Sequence, residues 1–217
     1  MRDKLFSGMS RATVRRIALL EPLTAFALIM AYIWQLRYSY RGFWLAILAG
    51  MIISHLARRE NTQVLGFDRR NLRECFEEFA PLLAFFGLFM LAAGILLQTT
   101  RPIRFGDAFL AFAGYLPWGT FQQYLLNGYF LNRFTGALPA RTASVASAVL
   151  FSGAHLPNWF LMAVTLITGY ACARIYLRHK NLYFLGIAHA TIGFLLFLVV
   201  PDSVSHHLVV GPGFFGH

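Results

Sequence analysis

Three apolar stretches of this chain carry side chains that could do acid–base chemistry. Gln122, Gln123 and Asn127 share one stretch, His155 lies in a second and His189 in a third. In hydrocarbon each such group costs free energy unless protein or trapped water satisfies it. The three stretches are therefore expected to face one another around a polar chamber. A histidine suits proton transfer there, because its unperturbed pKa of about 6.5 lies near neutrality, so His155 could act as a base. A glutamine amide has no usable basicity near neutral pH; it can hydrogen-bond and orient a water.

Helical spacing decides which groups share a face. Gln123 and Asn127 are four apart and lie together, while Gln122 points about 100° away from Gln123. Ser144, Ser147, Phe151 and His155 form one stripe, and Thr165, Thr168, Gly169 and Cys172 a second. Such small and hydroxyl residues are more often packing groups than catalysts. Gly186 and Gly193 flank His189 and allow another helix to approach. Pro117 precedes the glutamines and is expected to kink or restart its helix there. At 1.5 Å per residue, Gln122 and His189 fall in one half of the bilayer and His155 nearer the opposite side.

The elements that carry these groups read as membrane helices. The 217 residues are 58% hydrophobic and 13% charged, about half the usual charged fraction. Seven apolar segments, about 17–36, 42–57, 80–98, 108–131, 142–156, 158–177 and 182–200, approach the roughly 20 residues a helix needs to span. The expectation is an all-α polytopic membrane helix bundle of about seven transmembrane helices, forming a single domain over 1–217. The charged stretch 58–79 is either a solvated loop or, from Asn71 to Phe79, an amphipathic surface helix. The formal net charge is +10. Placing the N-terminus in the cytoplasm puts fifteen Lys and Arg inside and four (Arg37, Arg41, Arg101 and Arg104) outside. Basic loops of this kind are a topology signal, so no nucleic-acid partner is expected. Cys75 and Cys172 have no metal or redox spacing. No cofactor is expected: His155 and His189 could be two zinc ligands, but no motif carboxylate or cysteine completes a set. Glu21 is the one carboxylate at membrane level, placed near Arg15 and Arg16.

The polar residues resemble the three membrane motifs of the CPBP family of CAAX proteases and bacteriocin-processing enzymes, also called Abi proteins. The first motif, EExxxR, appears here as Gln122-Gln123-Tyr-Leu-Leu-Asn127. The second, FxxxH, is intact as Phe151-Ser-Gly-Ala-His155. The third, HxxxN, appears as His189-Ala-Thr-Ile-Gly193. The resemblance covers about residues 80–200. It implies an intramembrane endopeptidase in the bacterial inner membrane, acting on a membrane or lipidated peptide. It further implies that position 122 activates water with help from His155, and that His189 and position 193 stabilise the oxyanion. Three positions depart from the pattern. Both motif glutamates are glutamines, Asn127 replaces the arginine, and Gly193 replaces the asparagine. Losing two carboxylates also removes the reason for a nearby guanidinium.

Three functions follow from these residues. One is an endopeptidase of altered chemistry, with His155 as base and His189 as electrophile. A second is a pseudoprotease that binds a membrane peptide without cutting it. A third is a small transporter, against which the lack of an evident inverted repeat weighs. The segment 201–217, with His206, His207 and the Gly211-Pro212-Gly213 turn, either packs over the chamber or lies away from it.

Overall fold

The computed structural model describes residues 8–216. Arg2 and Lys4, two of the cations counted above, lie outside the described residues. Each of the seven apolar segments contains a helix, and no strand occurs among the described residues. The helices are α1 (Arg11–Ala31), α2 (Phe43–Ala57), α3 (Leu72–Leu96), α4 (Phe105–Gln123), α5 (Ala140–Gly153), α6 (Trp159–His179) and α7 (Leu182–Val199). Helical backbone extends α1 as far as Ser39 and α4 as far as Thr135.

Among the described residues, four helices are long and apolar enough to cross a bilayer: α1 with its extension, α3, α6 and α7. The shorter α2 and α5, with 15 and 14 residues, rise only about 22 and 21 Å against a hydrocarbon core of about 30 Å. On α3, Phe85, Phe86, Leu88, Phe89 and Leu96 are exposed. Such a face suits lipid rather than water.

Two elements differ from expectation. Asn71–Phe79 is not a separate surface helix. Its residues from Leu72 onward are the first turns of α3, which passes through Pro81 without a break. Pro117 likewise does not restart α4. The irregularity comes seven residues later, where Tyr124–Leu131 widens into π-helical turns. That widening starts just after the glutamines and is a common feature of functional sites.

Caps and close contacts set the packing. Asn158 and Asn181 begin α6 and α7 by accepting hydrogen bonds from Leu161 and Phe184 N–H groups. α4 packs chiefly on α7, and α5 on α6. The α4–α7 contact is close because of glycine. A Cβ at Gly186 would lie 2.2 Å from Thr120 Oγ1 and 3.0 Å from the Thr120 Cα.

A second polar cluster joins the middle of α1 to the end of α2 and the end of the α4 extension. Arg133, 2% exposed, bonds Glu21 Oε1 through Nε at 2.7 Å and Glu60 Oε1 through Nη1 at 2.7 Å. Glu21 also pairs with Arg58 and accepts from Ser54. His55 bonds Glu60 at 2.6 Å and Tyr124 Oη at 2.8 Å. Glu21 therefore turns away from the expected partners Arg15 and Arg16, and it does not line the chamber described below. The reason is burial: a half-buried carboxylate needs a cation within contact distance, and Arg133 provides one from another helix.

Removing Arg133 takes a buried cation from both carboxylates, leaving Glu21 with Arg58 and Glu60 with His55. Arg133→Leu is expected to lower stability by about 3–5 kcal/mol, measured by unfolding of the detergent-solubilised protein. Burial by itself would raise the Glu60 carboxyl. The hydrogen bonds from His55 and Arg133, with the Arg133 charge, outweigh it and hold the group down to about 2. A depressed carboxyl stabilises the fold fully above its ordinary value of 4.5, and that contribution fades as pH falls through about 2. Glu60→Gln should flatten the acid limb of the stability curve across this window. An unchanged acid limb would remove Glu60 from the cluster's energetics.

Candidate active site

Gln122, Gln123, His155 and His189 line one cavity of about 200 Å³. Gly193, Thr165, Thr168 and Cys172 also face it. Several elements build it: α4 supplies the glutamines, the turn after α5 supplies His155, and α6, α7 and the segment after α7 supply the rest. The depth difference expected between Gln122 and His155 does not separate them.

The hydrogen bonds fix what each group can offer. Asn127 Nδ2 donates to Gln123 Oε1 at 2.7 Å, and Gln123 Nε2 donates to His189 Nδ1 at 3.1 Å. A neutral imidazole that accepts at Nδ1 carries its proton on Nε2. His189 therefore presents an N–H donor at Nε2. At His155 the order is reversed. Its Nδ1 lies 2.8 Å from the Phe151 carbonyl oxygen, which can only accept, so Nδ1 carries the proton and Nε2 keeps a lone pair. One histidine thus presents an acceptor and the other a donor. The Phe151 ring lies edge-on to both, 5.0 Å from His155 and 6.0 Å from His189 between centroids. Gln122 Oε1 is buried and has no hydrogen-bond partner among the described residues, so it can accept from a water or substrate N–H.

Asn127 lies behind the cavity rather than in its lining. It is fully buried and acts through Gln123. In the α5 stripe Ser144 and Ser147 bond back to their own helix, to the carbonyls of Ala140 and Ala143. They are packing groups. In α6 Thr165, Thr168 and Cys172 reach the cavity, and Gly169 instead seats Phe151, whose Cδ1 would lie 3.4 Å from a Cβ there. Among the described residues no group of three or more His, Cys, Asp or Glu side chains could hold a metal ion.

Several site residues escaped the sequence reading. Tyr115 lines the cavity, and its ring would lie 3.3 Å from a Cβ at Gly193. It fills the space next to position 193, where the related motif has an asparagine. Leu208 and Val210 come from the segment after α7 and close part of the cavity wall. Asn158 holds that segment by donating to the carbonyls of Ser205 and Val209 at 2.9 and 3.1 Å. Gly211 N–H donates to Leu156 O at 2.7 Å, one residue from His155. The segment 201–216 therefore packs over the chamber. An asparagine at a helix start signals a cap; its two further bonds have no local sequence signal.

The α4–α7 contact sets the Gln123–His189 distance. Gly186→Ala is expected to cost about 1–3 kcal/mol by overpacking, whereas Gly50→Ala, with no atom within 4 Å of its Cβ, should be neutral. Equal unfolding midpoints for the two variants would contradict the close contact.

Residues 104–195 match the family model described as Rce1-like: Type II CAAX prenyl endopeptidase Rce1-like. The match includes all three motif positions discussed above. No curated protein and no solved structure matches the chain.

Proposed function

We propose, from the match of residues 104–195 to that family model, that the chain is a CAAX-protease-like intramembrane endopeptidase with altered catalytic residues. Its substrate is a membrane-associated or lipidated peptide. The observation that carries this reading is the pairing of opposite imidazole forms in one chamber. His155 Nε2 accepts a proton from a water, with Nδ1–H anchored on Phe151 O. That water attacks the scissile carbonyl carbon. His189 Nε2–H donates to the developing oxyanion, oriented by Gln123. Gln122 positions the water and does not take its proton. His155 then returns the proton to the leaving amine, as a base turned acid.

The same reading extends to topology. All seven helices cross or enter the bilayer of a bacterial inner membrane, with the N-terminus and the 58–71 loop in the cytoplasm. Cysteines introduced at Arg11 and Arg69 are expected to react only with reagent supplied from the cytoplasmic side. Labelling of both from the outside would reverse the orientation.

A second reading has its own support. Gln122, Gln123 and Asn127 carry no charge, and the Asn127–Gln123–His189 ladder needs no carboxylate. The chamber would then bind a peptide without hydrolysing it. Variants of the purified protein, assayed on membrane peptides, separate the two. His155→Ala should abolish cleavage, a loss of at least about a hundredfold for a general base. Gln122→Ala should leave measurable turnover. Full activity in His155→Ala would reject the mechanism. Binding without cleavage in the parent, unchanged in His155→Ala, would establish the second reading.

A further inference from the structure

A second cavity of about 660 Å³ adjoins the polar chamber. Trp118, Gln122, His155 and Val210 line both and form the wall between them. Its remaining walls are almost wholly hydrocarbon, including Phe26, Met51, Phe121 and Phe130. No carboxylate lines it among the described residues. One full positive charge does: Arg37, in the helical extension of α1. Arg37 Nη2 donates to Tyr38 Oη at 2.6 Å, and its guanidinium lies 4.8 Å from the Tyr38 ring centroid. Its Nε is buried without an acceptor among the described residues. A guanidinium N–H left so is costly until an anion takes it.

The surroundings of Arg37 are those of a bilayer interface. Tyr38, Tyr40 and Trp44 are exposed beside it, and such aromatic residues sit at head-group level. Arg37 ends a helical stretch, Arg11–Ser39, long enough to span. The cavity thus offers an anion site at the interface and an apolar volume leading inward.

We propose that this cavity binds one membrane glycerophospholipid, its phosphate on Arg37 and one acyl chain filling the apolar volume up to the Trp118–Gln122–His155 wall. A peptide fits these walls less well. Each of its residues brings an N–H and a C=O that need partners, and the aliphatic and aromatic lining offers none between the two polar ends. A hydrocarbon chain needs none. The chain end would then form part of the boundary of the polar chamber, so bilayer lipid shapes the space beside His155. This inference lies outside the peptidase reading and does not rest on cleavage.

The full chain in nanodiscs, carrying a trace of phosphatidylglycerol with a diazirine at the acyl-chain end, tests it. Irradiation should label the segments holding Met51, Phe121 and Phe130. A diacylglycerol probe with the same chains lacks the phosphate and should label them about tenfold less, the loss of one charge-assisted contact. Arg37→Gln should reduce phosphatidylglycerol labelling by a similar factor while its unfolding midpoint stays at the parent value. Label confined to the lipid-facing Phe85, Phe89 and Leu96 would overturn the proposal. So would equal labelling by both probes. Displacement of the label by an apolar peptide with a free C-terminal carboxylate, but not by unlabelled phospholipid, would assign the cavity to peptide instead.

Discussion

Gln123 is the side chain on which the polar interior depends. It is 1% exposed and sits where an apolar medium would leave both ends of its amide unsatisfied. Its oxygen takes a hydrogen bond from Asn127 and its nitrogen gives one to His189. The amide has a direction, and that direction passes on to the imidazole. It fixes the proton of His189 on Nε2, the ring nitrogen not bonded to Gln123. The close α4–α7 approach at Gly186 and the wide turns after Gln123 both serve this contact. A carboxylate at 123 would instead accept from both neighbours and favour the other His189 form or a charged one.

The replacements at the motif positions make sense together as a change of charge balance. The motif that these residues resemble sets an arginine against glutamates; here Asn127 bonds Gln123. The neutral ladder loses the strong Coulomb terms of buried ions and also their desolvation cost. The chain keeps a buried ion cluster elsewhere. Arg133 joins Glu21 on α1 to Glu60 in the loop, and His55 extends the network to Tyr124, the residue next to Gln123. That cluster ties three elements together and leaves the chamber uncharged, apart from what its histidines bind.

Much of the site was legible from residue type and spacing. Polar groups in apolar segments must converge, and Gln122, Gln123, His155 and His189 do. Helical periodicity placed Thr165, Thr168 and Cys172 on the correct face. What stayed hidden depends on tertiary placement. Nothing local links Glu21 to Arg133, because the two are more than a hundred residues apart; yet a lone carboxylate in an apolar segment does signal a distant cation. His55, also within an apolar segment, carried the same signal and belongs to the cluster. Pro117 is carried within α4 without a restart, and the change of helix type comes in a stretch without proline. Tyr115 and the 201–216 segment reach the chamber through packing that spacing within one helix cannot express.

One chamber holds a histidine that accepts and a histidine that donates. Nitrogen-15 NMR of histidine-labelled protein in lipid, with His155→Gln and His189→Gln variants for assignment, reads the two forms directly. When both are neutral, the proton is expected on Nδ1 in His155 and on Nε2 in His189. A proton on Nε2 of His155, or on Nδ1 of His189, would contradict that arrangement, because the proposed base or the proposed oxyanion donor would then face the wrong way.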